Sequence, residues 1–509
     1  MDHAVSDDQL GMELELEQKP STIDVDADIE KRSDQPLHTN VPLLLSELDW
    51  DSPEDPDNPR NWGSSKKIYH LVCISLCAFT TTYLSSAWAS GAVPAAKEYN
   101  VSETVSLLGV SLFCVGLSLG PVIGSPVSEQ YGRLPVYRWS LPLGGLFIIG
   151  CAVSKNMASI LVCRFFAGLF CSPCLSIGGG SITDMYLPSK MGRATSGFLV
   201  SPFLGPCIAP VIGGFVIEHK SWRWLEWVGL IATAVTIVFS LGMQETYKTA
   251  VLKQRAQRRG LCVSDHKAPT LGSLRGWMAD TVVRPLILLT TEPIVTFLSL
   301  YIGFNFAVLY GFFASLQVVY SEIYGFNPHK SGLVFLSLAI GLGLATTTSL
   351  LMDKFIYQKK HRELTAQGVK RIPPEHRLYP AMFGGFCIII SLFWFAWTAR
   401  SDISWASPTI ALIPFNWGNL CVFTSAAIYL VDCYGPRYGA SALAANGFTR
   451  YMFAMAFPLF MVQMYNNLTP KWATSLLGFI SIALAPIPWL LFWTGPKIRS
   501  WSRIASSLA

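Results

Sequence analysis

Two arginines stand inside long apolar runs of this sequence: Arg164 in Leu-Val-Cys-Arg-Phe-Phe-Ala-Gly, and Arg450, with Asn446 one helical turn before it. On insertion scales a guanidinium in hydrocarbon costs at least ~2.5 kcal/mol, so each must find a partner or a wet cavity. Arg164 lies near the expected end of its run, and snorkelling to the surface is its other reading. Arg450 lies roughly nine residues, or ~14 Å, into its run and should line a cavity. Tyr83, Asn305, Tyr310, Gln317, Asn416 and Asn419 are uncharged candidates for the same path. Each could instead bond a neighbouring helix. Glu292, at the edge of an apolar run, is a candidate proton carrier because desolvation favours the neutral carboxyl; capping the helix that follows is the alternative. These chemistries are ion pairing, ligand binding and proton carriage. The chain has no H-E-x-x-H, no G-x-x-x-x-G-K-[ST] and no concentration of histidine. A membrane-embedded enzyme, an ATP-driven pump and a receptor therefore fit poorly, and no cofactor or metal is expected.

The elements that must hold these residues are membrane helices. Apolar residues make up 51% of the chain and charged ones 14%, with a mean hydropathy of +0.39. Soluble domains do not have that balance. Apolar stretches of a length that crosses ~30 Å of hydrocarbon recur near 68–93, 105–127, 137–153, 159–182, 194–217, 224–243, 292–317, 331–352, 378–399, 408–430, 441–465 and 473–493. The expected fold class is all-α and integral to the lipid bilayer, with twelve transmembrane helices in two pseudo-symmetric six-helix bundles.

Charge sets the sidedness. Residues 1–58 hold 17 acids against Lys19, Lys31 and Arg32, so the rest of the chain carries all of the net +5 and more. Lys248, Lys253, Arg255, Arg258, Arg259, Lys267, Arg275 and Arg284 crowd the connection after span 6. Lys354, Lys359, Lys360, Arg362, Lys370, Arg371 and Arg377 crowd the one after span 8. By the positive-inside rule these connections and both termini are cytoplasmic. The basic charge is thus topological, and no nucleic-acid partner is expected. The parts are an acidic, disordered tail (1–60), a first bundle (61–243), a basic linker (244–290), a second bundle (291–495) and a tail (496–509). No cleaved signal peptide is evident. Cysteines such as Cys171 and Cys174 fall in apolar runs and read as packing residues. The sequons at Asn100 and Asn467 fall in short outer loops and are expected to stay unmodified.

The halves echo each other. Asp184-Met-Tyr186 ends span 4 and Asp432-Cys-Tyr434 ends span 10, while Glu129 follows span 2 as Asp353 follows span 8. A repeat of six spans around a basic loop suits alternating access. After span 2 comes Gly124-Ser-Pro-Val-Ser-Glu129-Gln-Tyr-Gly132-Arg133-Leu-Pro135. Glu129 and Arg133, four residues apart at a tight turn, can pair with each other and with helix ends to hold an inner gate. This stretch resembles motif A of the major facilitator superfamily. Arg164 and its neighbours are similar to motif B. Span 5, with Gly205, Pro206, Ala209, Pro210, Gly213 and Gly214, is similar to the antiporter motif, in which repeated Gly and Pro thin a helix for close approach. Ala209 departs from that pattern where Gly is usual, and Leu134 departs from motif A where a second base is usual.

Further stretches, in order, resemble the fungal twelve-span drug:proton antiporter branch: Asp55-Pro-Asp-Asn-Pro-Arg60-Asn-Trp62, Trp222-Arg-Trp-Leu-Glu-Trp227, Glu245-Thr-Tyr247, Arg284-Pro285, Thr291-Glu292-Pro293, Tyr324-Gly-Phe326 and Ser441-Ala-Leu-Ala-Ala-Asn446. The resemblance implies the major facilitator fold and proton-coupled export of a small amphipathic drug, toxin or secondary metabolite. It also implies a plasma-membrane address, and one chain holds both halves of the pathway, so a monomer suffices. A facilitator or importer of a small solute such as a polyamine or organic anion, on the same fold, is the alternative.

Overall fold

The computed structural model describes residues 43–44, 48–260, 263–264, 283–367 and 373–502. Most of the expected acidic tail, Lys267 and Arg275 of the linker, Lys370 and Arg371 after span 8, and residues 503–509 lie outside the described residues.

The first bundle comprises span 1 (Ser64–Tyr99), span 2 (Glu103–Tyr131), span 3 (Arg133–Val153), span 4 (Met157–Met185), span 5 (Pro188–His219) and span 6 (Arg223–Ser240). The second opens with span 7 (Pro293–Tyr324), span 8 (Pro328–Leu333 continued by Leu336–Met352) and span 9 (Tyr379–Thr398). Spans 10 to 12 follow in the helical run Ala406–Leu484 and its continuation Ile487–Trp501. That run is broken at Gly435 (φ 63) and Thr469 (φ 64). Among the described residues eleven helices are long and apolar enough to cross a membrane, and the last of them, Tyr438–Trp501, has 64 residues. At 1.5 Å per residue it would measure ~95 Å, about three hydrocarbon thicknesses. Tyr465 Oη lies 2.7 Å from Thr474 Oγ1, which nine residues of straight helix would forbid. The chain therefore turns back at Thr469, and this helix supplies spans 11 and 12.

Several helices outrun their apolar stretches, because a helix need not stop where the hydrocarbon does. Span 8 shows this most: beyond Met352 it passes through a π-helical segment, Asp353–Tyr357, into Gln358–Ala366. The segment Gln-Lys-Lys-His-Arg-Glu-Leu-Thr-Ala consists largely of good helix formers, so half of what reads as a loop is helical. Outward faces are apolar: Leu146, Ile231, Val238 and Phe386 are all exposed. Such surface is stable against lipid. The end carrying Lys248–Arg258 and Gln358–Ala366 is called the basic end below, and the opposite one the far end.

The expectation of a disordered tail through residue 60 needs correction at its final part. Residues 48–62 dock on the helix Lys248–Arg258, because their acids meet its bases. Asp49 pairs with Lys248 at 2.7 Å and Asp51 with Arg259 at 2.5 Å. Asp55, 1% exposed, accepts from Arg255 Nη1 at 2.6 Å and Nη2 at 3.1 Å. Upstream, Leu43–Leu44 forms a short parallel ladder with Val263–Ser264. The bond from Arg255 holds the Asp55 carboxyl below its ordinary 3.8. Its contribution is therefore complete above pH 3.8 and fades as pH falls through the lower, folded value. Asp55→Asn should weaken docking by about 2 kcal/mol at neutral pH. Hydrogen exchange of residues 48–62 would then rise while that of the spans stays unchanged.

Candidate functional site

Arg164 is fully buried, which rules out the snorkelling reading. Its Nη1 lies 3.3 Å from Glu226 Oε1, and Glu226, in the first turn of span 6, is 2% exposed. The remaining donors are also used. Nε donates to Gly109 O at 3.2 Å, and Nη2 donates to Leu84 O at 3.0 Å and Ser85 O at 3.2 Å. The guanidinium also lies 4.7 Å from the Phe113 ring centroid. One arginine thereby ties spans 1, 2, 4 and 6 together. Ser85 carries the connection across the molecule, since its Oγ lies 2.8 Å from Tyr310 Oη of span 7.

Arg450 occupies the second centre. About fifteen residues past Gly435, it lies ~22 Å along span 11, deep in the bundle. Its guanidinium stands 4.8 Å from the ring centroids of Phe306, Phe423 and Tyr451. Nη2 donates to Tyr451 Oη at 3.3 Å, and Nε has no partner among the described residues. Phe203 of span 5 closes the box from the other half, 5.9 Å from Phe306 and 5.1 Å from Phe423. Phe306 in turn packs on Tyr310 at 4.9 Å. The two intramembrane arginines are thus linked through Ser85, Tyr310 and Phe306.

The uncharged candidates divide. Tyr310 and Gln317 bond across the halves, Gln317 Nε2 donating to Ser90 Oγ at 3.2 Å. Asn416 Nδ2 donates to Leu338 O at 2.8 Å and faces Cys207 Sγ at 3.5 Å, while Asn446 Nδ2 lies 3.5 Å from Ser299 Oγ. Tyr83 Oη and Asn419 Nδ2 are buried without a partner among the described residues, and Asn419 sits one turn from Phe423. Asn305 is fully buried one turn from Tyr301, whose hydroxyl packs beside Gly385 of span 9.

Span 5 packs on span 1 within the first half and on span 8 across the seam between the halves. Gly205 lies against Phe79 and Tyr83 of span 1, and Gly213 against Ser90, so closely that a Cβ at either position would collide. Gly214 meets the backbone of Pro328 and His329 in the same way, and the carbonyl of Pro210 fills the space beside Gly332 of span 8. Pro206 lies within this wedge, and Ala209 is fully buried in it. Glu218 and His329 pair at its outer end. Ser111 Oγ donates to Met455 O at 2.7 Å, and Gln463 Nε2 to Thr104 Oγ1 at 2.6 Å, completing the seam between spans 2 and 11. These hydrogen bonds join the halves from mid-depth to the far end.

At the basic end the ion pairs of Arg133, Arg377 and Arg499 stay within their own halves. The expected pairing of Glu129 with Arg133 is corrected. Span 2 stops at Tyr131, Gly132 takes φ 100, and Arg133 begins span 3, so the two residues do not share a helix face. Glu129 is exposed. Arg133 instead reaches Asp184 at 3.3 Å, donates to Ser128 Oγ at 2.7 Å and lies over Tyr247 at 5.0 Å. Glu245 caps span 3, accepting from the backbone N–H of Arg133 at 2.8 Å and Leu134 at 2.9 Å. That carboxylate fills the space a Cβ at Gly132 would need. The second half repeats the scheme: Arg377 reaches Asp432 at 3.1 Å and Asp353 at 3.4 Å, and lies over Tyr357 at 3.6 Å. Glu292 is the N-cap residue of span 7, and its Oε2 accepts from Tyr434 Oη at 2.9 Å. It is remote from both arginine centres.

Sequence reasoning gave no role to Glu226, Glu245 or the rings around Arg450. For Glu226 a signal existed, since its charge is opposite to that of Arg164 and both lie a few residues in from the far end of their spans.

Two six-helix bundles meeting around a buried polar centre define a membrane transporter. The sequence pattern of the Major Facilitator Superfamily matches residues 74–458, and the chain belongs to that family. Polyamine transporter 4 of Saccharomyces cerevisiae is 38% identical over 93% of this chain and 76% of its own. The MFS-type efflux pump MFS2 of Trichophyton rubrum is 39% identical over 89% and 76%. The efflux pump radE of Floropilus chiversii is 33% identical over 91% and 86%. The fold matches the xylose transporter XylE from E. coli in a partially occluded inward open conformation, with TM-score 0.61 and 14% identity over 85% of this chain and 98% of that one.

Proposed function

We propose that this transporter is a proton-coupled antiporter that exports a small amphipathic compound, working as a single chain in the plasma membrane. Its basic end and both termini face the cytoplasm. The observation that carries the reading is the wedge of span 5. Its Gly214 and Pro210 seat directly on span 8 and seal the far end, so a substrate would load from the basic end and leave when the seam parts. Relatives named as efflux pumps support the direction. Glu226 takes the proton in this scheme. Protonation removes the charge that Arg164 balances, leaving Arg164 to the carbonyls of Leu84 and Ser85, and Ser85 is the residue that Tyr310 of the other half grips. Glu292, bound to Tyr434, is the second candidate carrier. Efflux from energised cells, or uptake into inverted vesicles, should collapse when a protonophore is added. Efflux that survives it would remove the coupling.

A facilitator or importer of a polyamine or organic anion is the second reading, favoured by the relative named Polyamine transporter 4. Uptake down a substrate gradient that persists with the protonophore would select it.

A further inference from the structure

The charge of the central site is one-sided. Each Asp and Glu of the described spans lies in an end turn or just beyond one. Glu226, the innermost of those toward the seam's polar chain, is neutralised by Arg164. Arg450, by contrast, sits at mid-depth with no carboxylate in contact among the described residues, its charge met by ring faces and the Tyr451 hydroxyl. Ring quadrupoles attract a desolvated cation, but less than a charged partner does. Nε is left without an acceptor, and the planar fork suits two oxygens at once. Phe203, Phe306, Phe423 and Tyr451 around it offer flat apolar surface from both halves.

We infer that the substrate is an amphipathic anion: a carboxylate or comparably acidic group docks on Arg450 while an aromatic or aliphatic body lies against these rings. A polyamine would bring positive charge to a centre that is already positive. This deepens the reading of the protein as a transporter with a central site, and it holds whatever the direction or coupling of transport.

The test uses the full chain in lipid nanodiscs, without any gradient, and three probes of one shape. These are 1-naphthaleneacetate, its neutral amide and the cationic 1-(2-aminoethyl)naphthalene, with binding followed by displacement and by shift of melting temperature. The acetate should bind at least tenfold more tightly than the amide, and the amine most weakly. Arg450→Gln should bring the acetate down to the level of the amide, and Arg450→Lys should restore part of the difference. Melting curves of both variants without probe report folding. Should Arg450→Gln misfold, Phe423→Ala serves in its place, with affinity for the acetate and the amide falling together. The inference is overturned if the amine binds best, if none of the probes binds, or if folded Arg450→Gln keeps the preference for the acetate. Protonophore-sensitive efflux in that event would leave the export reading standing and remove only the anionic substrate.

Discussion

Replacing Glu226 with alanine is expected to abolish transport and to lower the melting temperature of the purified protein. The double replacement Arg164→Met, Glu226→Leu should melt close to the parent and still fail to transport. The single change leaves a guanidinium fully buried with its charge unbalanced, where Arg164 now has only Gly109, Leu84 and Ser85 carbonyls. Breaking a buried pair by removing one partner costs about 3–5 kcal/mol, whereas replacing both by apolar groups of similar volume is often neutral. A purely structural pair would let the double variant transport. A pair that carries the proton, or that passes its state to Ser85 and Tyr310, would not. Transport by the double variant at the parental rate, with normal melting, would show that the pair only holds spans 4 and 6 together. Glu226→Gln separates the two roles further, because it keeps the shape and a hydrogen bond to Arg164 but cannot gain or lose a proton. It should retain substrate exchange across the membrane in the absence of a proton gradient and lose gradient-driven accumulation.

What could be read beforehand follows a physical rule. A charge inside an apolar run is conspicuous, so Arg164 and Arg450 stand out by their cost alone. Glu226 is not, since three residues from the start of a span it looks like an ordinary end charge, and its depth emerges only when span 4 lies beside it. The aromatic box is equally silent: Phe203, Phe306 and Phe423 are three among 30 phenylalanines, and nothing in a window of sequence tells a ring that faces lipid from one that faces a guanidinium. Neighbours in sequence also misled where the backbone turned. Glu129 and Arg133 have the spacing of a helical pair, but Gly132 ends one helix and starts the next, and Arg133 finds Asp184 fifty-one residues on. The repeated Asp at the ends of spans 4 and 10 was the better guide, because each half uses it identically, opposite Arg133 in one and Arg377 in the other. Twelve spans were countable from hydropathy, which responds to the bilayer's thickness. Their ends were not, since helix propensity carries Gln358–Ala366 on past the hydrocarbon.

Locking the far seam should stop transport altogether and reversibly. Glu218 of span 5 and His329 at the start of span 8 touch across the halves, at the outer end of the glycine wedge. Glu218→Cys together with His329→Cys places two thiols there, near the surface. The native cysteines among the described residues are buried or half-buried, so a short bifunctional methanethiosulfonate should act mainly on the new pair. If the halves must part at this end for substrate to leave, the crosslinked protein retains binding from the basic end yet moves nothing, and reductant restores the parental rate. Each cysteine alone, treated in the same way, serves as the control. The wedge explains why one bridge is enough: Gly214 seats on the Pro328–His329 backbone and Pro210 on Gly332. Packed surfaces in such close approach separate as a unit, so holding one point holds the seam. Undiminished transport at full crosslinking would mean that the substrate path does not open between spans 5 and 8, and the assignment of this face as the exit gate would fall with it.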